Sequence, residues 1–143
     1  MTKVLGRAER VDFADYGLHD IPAKVDTGAY SSSIDCSKVE LRNGELEFIL
    51  FHPSVKGYTG ELHHTQEFDT TEVKNANGVQ LRYVIFPQMT INGETRRCRL
   101  TLADRSKLRY PVLIGRRFLR EGEYTVDVRI GKGLPDDEEE RNL

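Results

Sequence analysis

The stretch Ile21-Pro22-Ala23-Lys24-Val25-Asp26-Thr27-Gly28-Ala29 decides how this 143-residue chain is read. It ends a strand-like segment in an Asp-Thr-Gly tripeptide. Alone, that tripeptide is an ordinary turn: the Asp caps a backbone amide and the Gly supplies a left-handed residue. A second stretch changes the reading. Tyr110-Pro111-Val112-Leu113-Ile114-Gly115-Arg116-Arg117-Phe118-Leu119 carries a short apolar run closed by Gly-Arg. Val112, Leu113 and Ile114 fit a buried strand beneath the Asp26 loop. Gly115 then permits close backbone approach, and Arg116 begins a short helix. The chain holds one Asp-Thr-Gly and no internal repeat.

A chain of this length most simply forms one domain with a substantial core. The expected division is a domain over 1–134 and a tail over 135–143. Five consecutive acids in that tail, from Asp136 to Glu140, should be solvated. Apolar residues make up 38% and charged residues 31%, a soluble composition, and the net charge of −2 gives no reason to expect a nucleic-acid partner. No apolar run reaches the roughly 18 residues that read as a membrane span. The N-terminus lacks an apolar core of signal-peptide length. Cys36 and Cys98 are too few for a disulfide framework, so a cytoplasmic protein away from membranes is expected.

The chain reads as all-β. Asn43-Gly44, Asn77-Gly78 and Asn92-Gly93 each lie between strand-like segments. Asn-Gly supplies the positive φ angles of a type I′ turn, so each pair predicts a hairpin. The first joins Lys38–Arg42 to Glu45–Phe51, the second joins 68–74 to 79–86, and the third joins Gln88–Ile91 to an arm over 95–102. In that arm Cys98, Leu100 and Leu102 alternate with Arg97, Arg99 and Thr101, a pattern with one buried face. Strands at this spacing predict a single sandwich or barrel-like sheet. The helix signal lies at Gly115–Arg120, and a final strand is expected within Tyr124–Ile130.

If Asp26 is catalytic, its chemistry needs a second carboxylate. One, ionised, takes a proton from the attacking water; the other, neutral, donates to the carbonyl oxygen. Like charges held about 3 Å apart cannot both ionise, so the two pKa values separate and belong to the pair. A chain with one such Asp meets this need on a two-fold axis. A catalytic Asp26 therefore implies a homodimer.

Together the two motifs resemble the halves of a retropepsin protomer, and the resemblance runs from about Val11 to Val128. More closely, the chain is similar to a bacterial retropepsin-like family once labelled ATP-dependent zinc proteases. The segments that carry this likeness are Ala23-Lys24-Val25-Asp26-Thr27-Gly28-Ala29, Val73-Lys74-Asn75-Ala76-Asn77-Gly78 and Leu102 through Arg116. It implies a single acid-protease barrel with one short C-terminal helix and an aspartic peptidase with Asp26 catalytic. Thr27, Gly28 and Ala29 would form the active-site loop, supported by Ile114, Gly115 and Arg116. Thr27 would bond across the dimer axis, and Ala29 would leave room for a substrate chain. A flap is implied at the hairpin tip Asn75-Ala76-Asn77-Gly78, with Gly57-Tyr58-Thr59-Gly60 as second choice. Family genes often lie near ATP-grasp ligases that add glutamates to a ribosomal protein, which implies a peptide or protein substrate such as a glutamate-rich or ligase-modified tail.

The residues themselves support neither a metal nor ATP. There is no His-Glu-x-x-His and no phosphate-binding Gly-x-x-x-x-Gly-Lys loop. Adjacent His63 and His64 point to opposite faces of a strand, and His19 and His52 read as surface or loop positions. No cofactor is expected. Tyr30 stands where many viral retropepsins carry an Asp that pairs with the Arg after the helix-start Gly. Arg116 would then lack that partner, and substrate contacts must differ. Arg105, Lys107, Arg109, Arg116 and Arg117 either lend positive potential to the cleft or are solvated surface charges. The alternative to an enzyme is a catalytically inactive domain of this fold that binds a peptide or a ligase partner.

Overall fold

Alternation builds the first strands of this protein, whose computed structural model describes residues 3–136. After β1 (Lys3–Gly6) and β2 (Ala8–Phe13), a single 3₁₀ turn at Ala14–Tyr16 leads into β3 (Leu18–Val25). Val11, Phe13, Ile21, Ala23 and Val25 are buried at every second position. The Asn43-Gly44 hairpin then links β4 (Ser32–Arg42) to β5 (Glu45–Leu50), with φ of 54° and 76° at the two turn residues. Along β5, Leu46, Phe48 and Leu50 point into the core while Glu45 and Glu47 stay partly exposed. Burial of each such side chain contributes about 1.5–3 kcal/mol.

The remaining strands are β6 (Leu62–Thr65), β7 (Asp69–Asn75), β8 (Gly78–Ile85), β9 (Gln88–Ile91), β10 (Glu94–Arg97), β11 (Leu100–Ala103) and β12 (Val112–Ile114). Helix α1 (Arg116–Glu121) and β13 (Tyr124–Asp127) follow. The third hairpin forms at Asn92-Gly93 with φ of 49° and 80°. The second forms one residue earlier than Asn-Gly geometry predicts: Asn75 pairs with Gly78, so Ala76 and Asn77 fill the turn. The arm expected over 95–102 is two strands rather than one. Cys98 donates its N–H to the Pro87 carbonyl (2.9 Å), which ends β10 on β9 and frees β11 to pair with β4 and β8. Thr101, expected on the exposed face, is buried between them.

Eleven strands share one sheet, along the path β10-β9-β2-β3-β12-β4-β11-β8-β7, with β5 and β6 branching from β4. The fold is all-β with one short helix, as expected. The sheet, however, is not closed into a barrel: β10 and β7 end the path as separate edges. β1 and β13 form a separate two-stranded parallel sheet. Short, apolar β12 is the keystone, parallel to β3 through Val112–Ala23 and Ile114–Val25, and antiparallel to β4 through Val112–Ile34. Phe13, Ile34, Phe48, Phe51, Ile85 and Leu100 fill the core around it. Among the described residues, no helix is long and apolar enough to cross a membrane. Residues 137–143, most of the expected acidic tail, lie outside those described; Asp136 pairs with Arg7 at 3.3 Å.

Candidate active site

Asp26 is the first residue beyond β3, and both neighbouring strands fix its backbone. Val25 donates its N–H to the Arg7 carbonyl (2.9 Å), and Asp26 donates to the Ile114 carbonyl (2.8 Å). The loop then turns back on itself. Ala29 donates to the Asp26 carbonyl (3.2 Å), and the Asp26 carboxylate accepts the Gly28 N–H at 2.9 Å. A Cβ at Gly28 would sit 3.2 Å from that carboxylate oxygen, so glycine leaves room for the amide to approach. Asp26 and Ala29 are half-buried, while Thr27 and Gly28 face outward. The Thr27 hydroxyl has no hydrogen-bond partner among the described residues.

The second motif closes over the first. The opening N–H groups of α1, which have no partner within the helix, are taken up by the Asp26 loop: Arg116 donates to the Ala29 carbonyl (2.7 Å) and Arg117 to that of Tyr30 (3.1 Å). Gly115 is required by contact. A Cβ there would lie 2.6 Å from the Ser31 carbonyl oxygen and 2.7 Å from that of Tyr30. Its own N–H donates to the buried Ser32 hydroxyl at 3.0 Å. Arg116 is not left without a partner. Its guanidinium donates to the Gly28 carbonyl (3.0 Å) and lies over the Tyr30 ring, 5.4 Å from the centroid. Tyr30, 50% exposed, thus holds Arg116 by a cation–π contact rather than by charge.

The structure brings Asp26, Thr27, Gly28, Ala29, Ile114, Gly115 and Arg116 together. Asn75, Ala76, Asn77 and Gly78 lie at the tip of the β7–β8 hairpin. Val79 and Leu81, 60% and 58% exposed, line its outer half. The Gly57–Gly60 segment lies in the β5–β6 connection instead, with Gly57 packed against Ile21 and Phe51. Arg105 is not a cleft cation. It is buried, with Nε on the Tyr110 carbonyl (3.0 Å) and Nη1 on Ser33 Oγ (3.4 Å). The two thiols are buried, which pushes Cys36 up to about 11 and Cys98 up to about 12. Both are therefore poor nucleophiles and poor metal ligands at neutral pH.

One constellation escaped the sequence reading. His52, expected at the surface, is mostly buried against Asp35 and lies near Asp104. The Asp26 loop itself holds no His or Cys.

Comparison with known proteins places this geometry. The profile of the RimB-like family, described as retropepsin-like aspartic endopeptidase RimB, matches residues 4–131. A probable alpha-L-glutamate ligase of Desulfotalea psychrophila is 31% identical over 120 residues, covering 80% of this chain and 26% of that protein. One of Shewanella halifaxensis is 32% identical over 119 residues, covering 79% and 26%. The chain thus spans about a quarter of the length of these relatives. A solved Legionella pneumophila protein of unknown function matches with a TM-score of 0.73 at 21% identity, covering 92% of this chain and 97% of that one. That likeness concerns the fold. With a protease-like domain matched over nearly its whole described length, the chain belongs to the RimB-like family of retropepsin-like aspartic endopeptidases.

Proposed function

We propose that the protein is a homodimeric aspartic endopeptidase in which Asp26 from each of two copies forms the catalytic dyad. The observation that carries this is the loop itself. Asp26 is pinned by the Ile114 carbonyl and the Gly28 amide, yet among the described residues its carboxylate accepts no bond from a charged side chain. Such a carboxylate is positioned but incomplete, and a second copy on a two-fold axis would complete it. The Thr27 hydroxyls would bridge the two loops. The dyad shares one proton. Its ionised member takes a proton from water as the water oxygen bonds to the peptide carbonyl carbon, while its neutral member protonates the carbonyl oxygen. Collapse of the tetrahedral adduct breaks the C–N bond, and a carboxyl proton passes to the leaving nitrogen. This chemistry uses no cofactor.

The substrate class we propose is a glutamate-rich or ligase-modified peptide tail. Two relatives are named as probable alpha-L-glutamate ligases, and Arg116 and Arg117 stand beside the Asp26 loop. The β7–β8 hairpin is the proposed flap. The test is cleavage of a peptide library that includes oligoglutamate tails, read by mass spectrometry. Asp26→Asn should lower the rate on the order of 10³-fold, and sedimentation should find the active species dimeric. Unchanged cleavage by the variant, or full activity in a monomer, sinks the proposal and favours an inactive peptide-binding domain.

A further inference from the structure

A second built cluster lies four residues into β4, separate from the proposed peptidase site. Ser32 lies beside Gly115 at the Asp26 end, whereas Asp35, three residues on, donates its N–H to the Pro111 carbonyl (2.8 Å). At about 3.3 Å per residue, that places Asp35 roughly 10 Å down the sheet. Its side chain is fully buried, and both oxygens are engaged. Oδ1 accepts the Arg105 N–H at 2.6 Å, and Oδ2 lies 2.8 Å from His52 Nδ1.

The backbone is bent to bring His52 there. Phe51, the residue before it, donates its N–H to the Asp35 carbonyl (2.9 Å) and sits at φ +66°, a region that a buried aromatic rarely adopts. Strain of this kind is retained where the surroundings enforce it, often at functional positions.

The Asp35 carboxylate is an acceptor, so it favours the tautomer with the proton on Nδ1, which leaves an Nε2 lone pair pointing outward. That lone pair faces Asp104 Oδ1 at 3.7 Å, too far for a hydrogen bond. Asp104 is aimed rather than loose, since Oδ1 accepts both the Ser106 N–H (3.0 Å) and the Ser106 hydroxyl (2.6 Å). Two electron-pair donors thus face each other across a gap. The gap is close to the span of two ligands on one ion at bond lengths of about 2.0–2.2 Å. A buried carboxylate on the other ring nitrogen is the arrangement that orients a metal-bound imidazole and raises its basicity. Asp104 also borders an open cleft of about 320 Å³, lined in part by Leu81, Arg82 and Leu102, through which water could complete the coordination.

We propose that His52 Nε2 and Asp104 Oδ1 bind a divalent transition-metal ion of the zinc class, with Asp35 holding the imidazole in register. One nitrogen and one carboxylate oxygen, with the other positions left to water, suit zinc or cobalt(II) rather than calcium or magnesium. The ion would tie the segment after β11 to the β5–β6 connection. It would take no part in peptide hydrolysis, which the Asp26 loop would carry out roughly 10 Å away along the sheet. Spacing alone hides this set, because its members come from three separate segments.

The experiment is a zinc chloride titration of the chelator-treated full chain, followed by calorimetry and by ¹⁵N chemical shifts of the histidine rings. Wild type should take up one equivalent, with the shift change concentrated on His52 Nε2. Asp104→Ala, at an exposed position that leaves the core intact, should weaken binding at least tenfold. Asp35→Asn should weaken it 10–100-fold where it folds. His64→Ala controls for the other His–carboxylate grouping, in which His64 Nδ1 lies 3.6 Å from Glu45; it should change nothing. Asp26→Asn should bind zinc like wild type, which separates this site from the proposed peptidase. Absence of binding at millimolar zinc, or equal affinity in Asp104→Ala, overturns the proposal.

Discussion

Asp26 and Asp35 sit toward opposite ends of the same β3–β12–β4 core and could hardly be treated more differently. Asp26 is half-buried and accepts a single backbone amide. Asp35 is fully buried, with a backbone amide on one oxygen and an imidazole on the other. The fold has finished one carboxylate and left the other open. A finished buried carboxylate is tied to the stability of its own chain. An open one held in fixed geometry has capacity to spare for something outside the chain, such as a substrate, a water or a second copy. Substitutions at the two positions should therefore separate cleanly.

The largest effect is expected at Asp35. Asp35→Ala leaves the Arg105 amide and the His52 ring without their buried acceptor, and each donor so stranded costs about 1–3 kcal/mol. Asp26→Asn should change stability by less than about 0.5 kcal/mol, since it removes no buried contact. Urea denaturation of both variants checks the contrast, and equal losses would break it. Gly115→Ala comes next. Its methyl would run into the Tyr30 and Ser31 carbonyls, backbone atoms that cannot swing aside. Overpacking of this kind costs about 1–3 kcal/mol, and the displaced loop should take the proposed activity with it. A smaller effect is expected at the Arg116 clamp. Arg116→Lys keeps the charge but loses the planar stacking on Tyr30, so about 0.5–1 kcal/mol of loop stability should go. Faster amide exchange at Gly28 and Ala29 would register it.

These contrasts also show what could be read from the sequence. The Asp26 loop, the β12 strand and Gly115 were legible because each depends on residues adjacent in the chain. The hairpins were legible for the same reason: Asn43-Gly44 and Asn92-Gly93 carry their own turn chemistry. The single arm over 95–102 failed because the Pro87 carbonyl captures the Cys98 amide, a partner that alternation does not encode. Arg105 looked like a surface cation, yet the Tyr110 carbonyl and Ser33 absorb its guanidinium. The Asp35–His52–Asp104 cluster was hidden for the same physical reason. Its members meet only after β4, the β5–β6 connection and the end of β11 are stacked.

Cysteine chemistry can report on the Asp35 end directly. Cys36 follows Asp35 and is buried, its thiol pushed up to about 11 by loss of solvent. Alkylation of the native protein at pH 8 should therefore be slow at both thiols. In Asp35→Ala, Cys36 should react faster than Cys98, whose burial lies elsewhere against the Pro87 carbonyl. Equal acceleration of both would mean global unfolding rather than local release of that end.

The smallest effect separates two histidines. His52 is held by the Asp35 carboxylate, whereas His63 packs on aromatic rings, 4.8 Å from Tyr16 and 5.5 Å from Phe48 between centroids. Burial on those rings lowers the His63 pKa below its ordinary value, with Glu61 opposing the shift and His64 adding to it. With the folded pKa below the unfolded one, the unfolded chain binds more protons in the window just under pH 6.5. The His63 contribution to stability is then present above that window and lost as pH falls through it. His63→Gln should flatten the fall in melting temperature between pH 7 and pH 5, while Asp104→Ala should leave this His63 term in place. A slope that survives His63→Gln intact would assign the acid sensitivity to the carboxylate-held end instead.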